Sequence, residues 1–195
     1  MYICVKKSDN SSSDIGALEL CTDAVYTWLS NNGLAFNPSK SEVVKFDCRK
    51  QTINQITSVK VAGASIHLSP AIRSLGVIPD SQLTMNSHVT AVCKACYFHI
   101  RVLRHIRRSI PEDVAKMVAC RIVESRLDYC NSLYAGMSKA NFDKLQRVQN
   151  TLARVVTGYK RSDHITPVMA DLHWLPVKSR VTFKIASNCY FADQA

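Results

Sequence analysis

Apolar residues recur at two different spacings along the chain, and the change between them falls near residue 80. Before that point, short β-prone runs alternate with polar tracts and with one helical pattern. After it, apolar residues recur every three or four positions, which is the spacing of amphipathic helices. The pattern therefore predicts an α+β fold, in which a small mixed sheet with one helix over 1–80 precedes an all-helical region over 81–195.

The first 80 residues contain one helical pattern and several strand candidates. Apolar residues at helical spacing predict a helix over 15–32, and Gly33 supplies its C-terminal stop. A glycine between two alternating segments is typical of a β-hairpin. Single strands are predicted at 1–5, 42–46 and 75–78, and a hairpin is predicted with arms at 59–63 and 65–68.

The second half carries signals for five helices. A first helix is predicted over 86–107, and a second follows Pro111, with two acidic residues in its first turn, where the helix dipole favours them. Two further helices are predicted to open at Thr166-Pro167 and at Pro176.

The third helix of this half has the clearest pattern. It is predicted over 139–157, with Ser138 as its N-cap and Gly158 as its stop. Its buried face is predicted to consist of Phe142, Leu145, Val148, Leu152 and Val155.

Charge separates the two halves as clearly as periodicity does. The chain carries 25 Lys and Arg against 15 Asp and Glu, but residues 1–80 have a net charge of only +1, whereas residues 81–195 have +9. A field of that sign attracts polyanions, with nucleic acid as the first candidate and an anionic membrane as the second. Ordinary solvated helix faces are the alternative explanation.

The basic residues of the second half fall into register on two of the predicted helices. Such stripes suit a protein that neutralises phosphates along a duplex without reading bases. The candidate nucleic-acid-binding residues are Lys94, Arg101, Arg104 and Arg108 on the first helix, and Lys144, Arg147 and Arg154 on the third.

One cysteine pair, Cys93 and Cys96 with His99 behind it, resembles a run of metal ligands. No second pair follows at zinc-finger distance, and a closed zinc site needs four ligands. We therefore expect core cysteines and no metal site, because the pair falls on the apolar stripe of the first helix, which comprises Val89, Cys93, Cys96, Ile100 and Leu103.

Several segments follow one another in an order that carries a family resemblance. They are GLAFNPSKSE at 33–42, RSLGVIPD at 73–80, LDYCNSL at 127–133, LQRVQN at 145–150 and LHWLPV at 172–177. Together they resemble the reverse transcriptases of non-LTR (LINE-type, jockey-like) retrotransposons. The match begins with that family's glycine-leucine-x-x-asparagine-x-x-lysine-threonine-glutamate segment, continues through its leucine-glycine-valine strand and extends into its downstream helices.

The resemblance implies a division of labour between the two halves. Residues 1–80 would be the C-terminal part of a polymerase palm, and residues 81–195 would be a thumb with its downstream continuation, which clasps the template–primer duplex in such enzymes. Lys40 matches the family lysine whose implied role is as an acid for the leaving pyrophosphate. Leu75, Gly76 and Val77 match the strand that supports the primer end.

The catalytic metals of that family lie outside the matching residues. Such polymerases hold two Mg²⁺ ions through palm aspartates, and an aspartate pair lies just before a strand resembling residues 1–5. The resemblance therefore implies a fragment of an RNA-directed DNA polymerase that lacks polymerase activity alone and has no cofactor of its own.

We accordingly expect this chain to bind the backbone of an RNA/DNA hybrid or duplex, with the missing polymerase half as a further candidate partner. The alternative is a non-enzymatic helical interaction protein or an unstable product of a decayed element. No apolar run has the length of a membrane span, so we expect an intracellular protein with no membrane partner.

Overall fold

The computed structural model of the protein describes residues 11–46 and 57–192, which form two compact units. One unit comprises the described residues before Leu75 together with Asp80–Leu83, and the other comprises Leu75–Pro79 together with the described residues from Thr84 onward. The first unit contains a helix and a two-stranded antiparallel sheet, and the second is helical. The fold class is therefore α+β with a helix N-terminal to the sheet, as predicted.

The α+β unit contains helix α1 (Ser11–Asn31) and strands β1 (Ser58–Val61) and β2 (Ala64–His67). Helix α1 ends where the sequence predicts, because Gly33 has a φ of +71°, a left-handed conformation that glycine adopts without strain.

The β1–β2 pair confirms the hairpin predicted around Gly63. Both residues of its two-residue turn have positive φ, +49° at Ala62 and +78° at Gly63, which is the turn geometry that matches the twist of the strands. The backbone N–H of Lys60 donates to a carboxylate oxygen of Glu19 over 2.9 Å. This bond joins the hairpin to α1.

The other strand candidates of the first half do not form strands in the described residues. Residues 42–46 are not a strand, because Val43 makes only an isolated parallel bridge to Leu68. The strand predicted at 1–5 lies outside the described residues.

The strand predicted at Leu75, Gly76 and Val77 is also wrong, whereas the primer-support role that the resemblance implies for these residues stays a prediction. Leu75 and Gly76 have φ values of +48° and +83°, so the backbone forms a turn, whereas a strand requires extended, negative φ. The hydroxyl of Tyr129 donates to the carbonyl oxygen of Leu75 over 2.7 Å and holds this turn. Val77 follows it and belongs to the core of the helical unit.

The helical unit confirms the predicted helix starts and stops to within two residues. The helix that follows Pro111 continues without a break along the chain. A π-helical segment, Cys120–Glu124, joins its first α-helical part to a short last part that ends at Asp128. The helices are α2 (Asn86–Ile106), α3 (Glu112–Ala119), α4 (Ser125–Asp128), α5 (Lys139–Thr157), α6 (Ile165–Asp171) and α7 (Val177–Ala192).

Local chemistry explains both ends of α5. The side chain of Ser138 accepts a hydrogen bond from the backbone N–H of Asn141, which satisfies one of the free donors of the first turn. Gly158 ends the helix with a φ of +77°, and its N–H donates to the carbonyl oxygen of Arg154.

The core of the unit is centred on the packing of α2 against α5. The predicted stripes are confirmed, although Cys93 and Phe142 are only partly buried. The residues at most 3% exposed include Val89, Cys96, Ile100 and Leu103 on α2, and Leu145, Val148 and Leu152 on α5.

A buried ion-pair network attaches α7 to the rest of the unit. The guanidinium of Arg180 contacts the carboxylates of Glu124 and Asp128, and its Nε donates to Asp128 over 2.8 Å. Gln149 on α5 donates to Glu124 over 3.4 Å and to the carbonyl oxygen of Leu175 over 3.0 Å. Burial lowers the pKa of Arg180 to about 10, so the guanidinium stays charged at neutral pH.

We predict that Arg180→Met destabilises the protein by about 3 kcal/mol, because the buried carboxylate of Glu124 loses its counter-charge. Urea denaturation followed by circular dichroism measures the change. Lys178→Met, an exposed position on the same helix, is the control and should change stability by less than about 0.5 kcal/mol. Equal effects of the two substitutions would contradict a structural role for the network.

A second prediction concerns His88, which is buried beside Tyr134 with 3.3 Å between its Nε2 and the tyrosine hydroxyl. Burial lowers the pKa of His88 from 6.5, so the folded chain binds fewer protons than the unfolded chain. The free energy of unfolding should therefore fall as pH decreases from about 6.5 towards the lowered pKa. His88→Gln should flatten this dependence, measured by urea denaturation across pH, and an unchanged dependence in this variant would show that His88 does not cause it.

Candidate nucleic-acid interface

Six arginines of the helical unit meet in a groove formed by the C-terminal part of α2, by α5 and by the loop that follows α5. The groove has a volume of about 790 Å³. Six arginines and two tyrosines line it, namely Arg104, Arg107, Arg108, Arg147, Arg154, Arg161, Tyr97 and Tyr159, together with Asn150, Thr151, Val155 and Gly158. We call this surface the arginine groove.

Two of these arginines hold the walls of the groove in place. Arg107 donates from Nε to the carbonyl oxygen of Val156 over 2.6 Å and from Nη1 to that of Ile110 over 3.1 Å, so it ties the end of α2 to the end of α5. It also lies 3.6 Å from the carboxylate of Glu112. These contacts engage all three nitrogens of the Arg107 guanidinium within the protein.

Arg154 has the same kind of structural role in the wall formed by α5 and the loop that follows it. Its Nε and Nη2 donate to the carbonyl oxygens of Lys160 and Asp163 over 3.3 and 3.2 Å, which folds the loop after Gly158 back along α5. That fold brings Arg161, which is outside any helix, to the groove.

The remaining four arginines are available to a ligand. Across residues 11–46 and 57–192, Arg104, Arg108, Arg147 and Arg161 form no ion pair with a carboxylate, and all four are exposed. The lining of the groove includes no acidic side chain among the described residues. Like charges gathered without counter-charges create a positive potential that favours an anionic ligand.

The structure brings together four of the seven basic residues predicted to bind nucleic acid. Arg104, Arg108, Arg147 and Arg154 line the arginine groove, whereas the other three are exposed elsewhere on the helices. Those outside it are Lys94, Arg101 and Lys144; the last lies 3.4 Å from the side-chain oxygen of Asn141.

Sequence reasoning missed four of the arginines and tyrosines that line the groove. Tyr97 could have been found, because it lies three positions after Lys94 and four before Arg101 on the same helical stripe. Arg107 lies three positions after Arg104, so the same spacing could have found it. Tyr159 and Arg161 lie in the loop after α5, where a helical period carries no information.

Lys40, the candidate leaving-group acid, belongs to the α+β unit. It is the exposed last residue of a short 3₁₀ turn, Pro38–Lys40, whose start is capped by the side chain of Asn37. Within the described residues, the side chain of Lys40 forms no hydrogen bond or ion pair. Its role as a leaving-group acid stays a prediction.

The cysteine pair of α2 belongs to the core. Cys96 is fully buried and Cys93 is partly buried. Burial raises the pKa of both thiols, that of Cys96 to about 12, which disfavours the thiolate that binds metals. Within the described residues, no three His, Cys, Asp or Glu side chains are placed to hold a metal ion.

The Mg²⁺ chemistry of the resembling family does not fit the described residues. Mg²⁺ is bound by carboxylate oxygens, and the carboxylates that lie together in the helical unit, Glu124 and Asp128, are already engaged by Arg180.

No protein-family model, curated protein or solved structure matches the chain. In the described residues, no helix is long and apolar enough to cross a membrane.

The burial of Cys96 predicts slow alkylation by iodoacetamide in the folded protein. Because its pKa is about 12 rather than 9.0, Cys96 should react slower than the exposed Cys130 by two to three orders of magnitude. Mass spectrometry of tryptic peptides after timed alkylation measures both rates, and urea should equalise them. Equal rates in the folded protein would show that Cys96 is not part of the core.

Proposed function

We propose that the helical unit binds nucleic acid through the arginine groove, as the thumb-like part of a non-LTR retrotransposon reverse transcriptase. The observation that supports this most directly is the gathering of four arginines without carboxylate partners around one concave surface. Guanidinium groups form paired hydrogen bonds with phosphate oxygens, which suits them to a nucleic-acid backbone. The ordered sequence segments that resemble the family support the same assignment.

The proposed ligand is an RNA/DNA hybrid or another duplex, bound without sequence preference. Phosphate contacts position a duplex but carry no direct sequence information. For this chain alone we propose binding and not polymerisation.

A second candidate function is docking on another polypeptide, such as another part of a polymerase. It is favoured by an exposed apolar row on α2, where Phe98, Val102 and Ile106 lie four residues apart and are 59%, 47% and 43% exposed. This row lies on a different stripe of α2 from the arginines.

The arginine groove can be tested with matched arginine substitutions on one helix. Arg104→Gln removes a groove residue, and Arg101→Gln removes an exposed arginine of α2 that is outside the groove. Fluorescence anisotropy with a labelled RNA/DNA hybrid should show affinity falling steeply with salt for the unchanged protein. Arg104→Gln should weaken binding and reduce the slope of log K against log salt by about 1.

Arg101→Gln should retain nearly the full affinity and slope. If the two substitutions weaken binding equally, diffuse positive charge rather than the groove binds the hybrid. An affinity that does not change with salt would contradict nucleic-acid binding by phosphate contacts. Phe98→Ser should leave hybrid binding unchanged but weaken association with a polypeptide partner if the second candidate holds.

A further inference from the structure

Two tyrosines share the arginine groove with the arginines. Tyr97 comes from α2 and is 40% exposed, and Tyr159 follows the end of α5 and is 50% exposed. Among the described residues, neither ring stacks on another aromatic ring, and neither hydroxyl forms a hydrogen bond. Both therefore present an aromatic surface to the groove without a partner in this part of the chain.

Two other tyrosines of the helical unit, Tyr134 and Tyr129, have clear structural roles. Tyr134 is fully buried and its hydroxyl contacts His88, and the hydroxyl of Tyr129 holds the turn at Leu75. A tyrosine that serves packing usually buries its ring and finds a partner for its hydroxyl. Tyr97 and Tyr159 leave 40% and 50% of their surface exposed and, among the described residues, form no hydrogen bond through their hydroxyls, so both rings are accessible to a ligand with an aromatic face.

The size of the groove limits what can enter it. A volume of about 790 Å³ lies within the range of roughly 300–1,000 Å³ that is typical of small-ligand pockets. The major groove of a DNA duplex is by itself about 12 Å wide, so a whole duplex is too large for a cavity of this volume. A duplex can therefore lie across the arginine groove but cannot enter it. One or a few unpaired nucleotides are the part of a nucleic acid that fits inside.

We propose that the arginine groove holds an unpaired strand that extends from the bound duplex, with a base stacked on Tyr97 or Tyr159 and its phosphates contacted by the free arginines. This inference rests on the proposed function and specifies its ligand as a duplex with a single-stranded extension. Stacking on an aromatic ring tolerates any base, because every base has a π-face, so this contact adds affinity without sequence preference.

The test compares a blunt RNA/DNA hybrid with the same hybrid carrying a single-stranded DNA extension. The extension should tighten binding by about tenfold, within the roughly 5- to 150-fold that stacking of one base provides. The double substitution Tyr97→Leu with Tyr159→Leu should abolish this gain, so that this variant binds the extended hybrid no more tightly than it binds the blunt hybrid. Replacing both tyrosines with phenylalanine keeps the rings and should preserve the gain.

A spectroscopic readout separates stacking from a general effect on binding. 2-Aminopurine placed in the extension should lose fluorescence on binding the unchanged protein, and it should keep its fluorescence with the leucine variant. Phe98→Leu, an exposed aromatic position of α2 outside the groove, is the matched control and should behave like the unchanged protein. Circular dichroism should show that every variant is folded, because all three positions are exposed.

The outcomes distinguish this inference from the proposed function. Equal affinity for blunt and extended hybrids, or unquenched 2-aminopurine with the unchanged protein, overturns the stacked strand even if Arg104→Gln weakens binding. Failure of Arg104→Gln to weaken binding of either hybrid would overturn the groove as the binding site altogether.

Discussion

The packing of α2 against α5 is the interaction on which the rest of the helical unit depends. Each helix buries one apolar stripe against the other, and this fixes where its remaining faces point. The basic stripes flank the buried stripes, so the contact that excludes water from Ile100 and Leu152 also brings arginines of both helices to one groove. The proposed binding surface is thus a direct geometric consequence of the core.

Polar contacts then determine how the ends of the helices meet around that core. Arg107 donates to the carbonyl oxygen of Val156, an acceptor that the end of α5 leaves free, and Arg154 donates to carbonyl oxygens of the loop that follows α5. Arg180 performs a comparable task for α7, through two carboxylates rather than carbonyls. Arginines in this unit therefore divide into a structural group, with their donors used internally, and a group whose donors face the groove.

The sequence predicted the helix ends and turns that depend on neighbouring residues. Its predictions were wrong where contacts between residues distant in the chain determine the backbone. Ser138, Gly158 and Gly63 act through local backbone geometry, so the ends of α5 and the hairpin could be placed correctly. The apolar run at Leu75 looked like a strand, because hydrophobicity does not reveal a positive φ that depends on Tyr129, 54 residues away. For the candidate site, the helical stripes predicted four groove arginines, but the loop that brings Arg161 depends on carbonyl contacts with Arg154 that no periodicity encodes.

The π-helical segment between α3 and α4 determines the angular phase of the side chains that follow it. The fully buried positions of this helix are Ala115, Ala119, Val123 and Leu127, each four residues after the last. In a uniform α-helix of 3.6 residues per turn, three such steps would rotate the buried face by about 120° around the axis. The wider π turn absorbs part of that rotation, so one continuous helix keeps a straight apolar seam and still aims Glu124 and Asp128 at Arg180. A π turn holds one residue more than an α turn for nearly the same rotation, so deleting one residue from Cys120–Glu124 should leave a regular α-helix whose later side chains keep nearly their present phase relative to the seam.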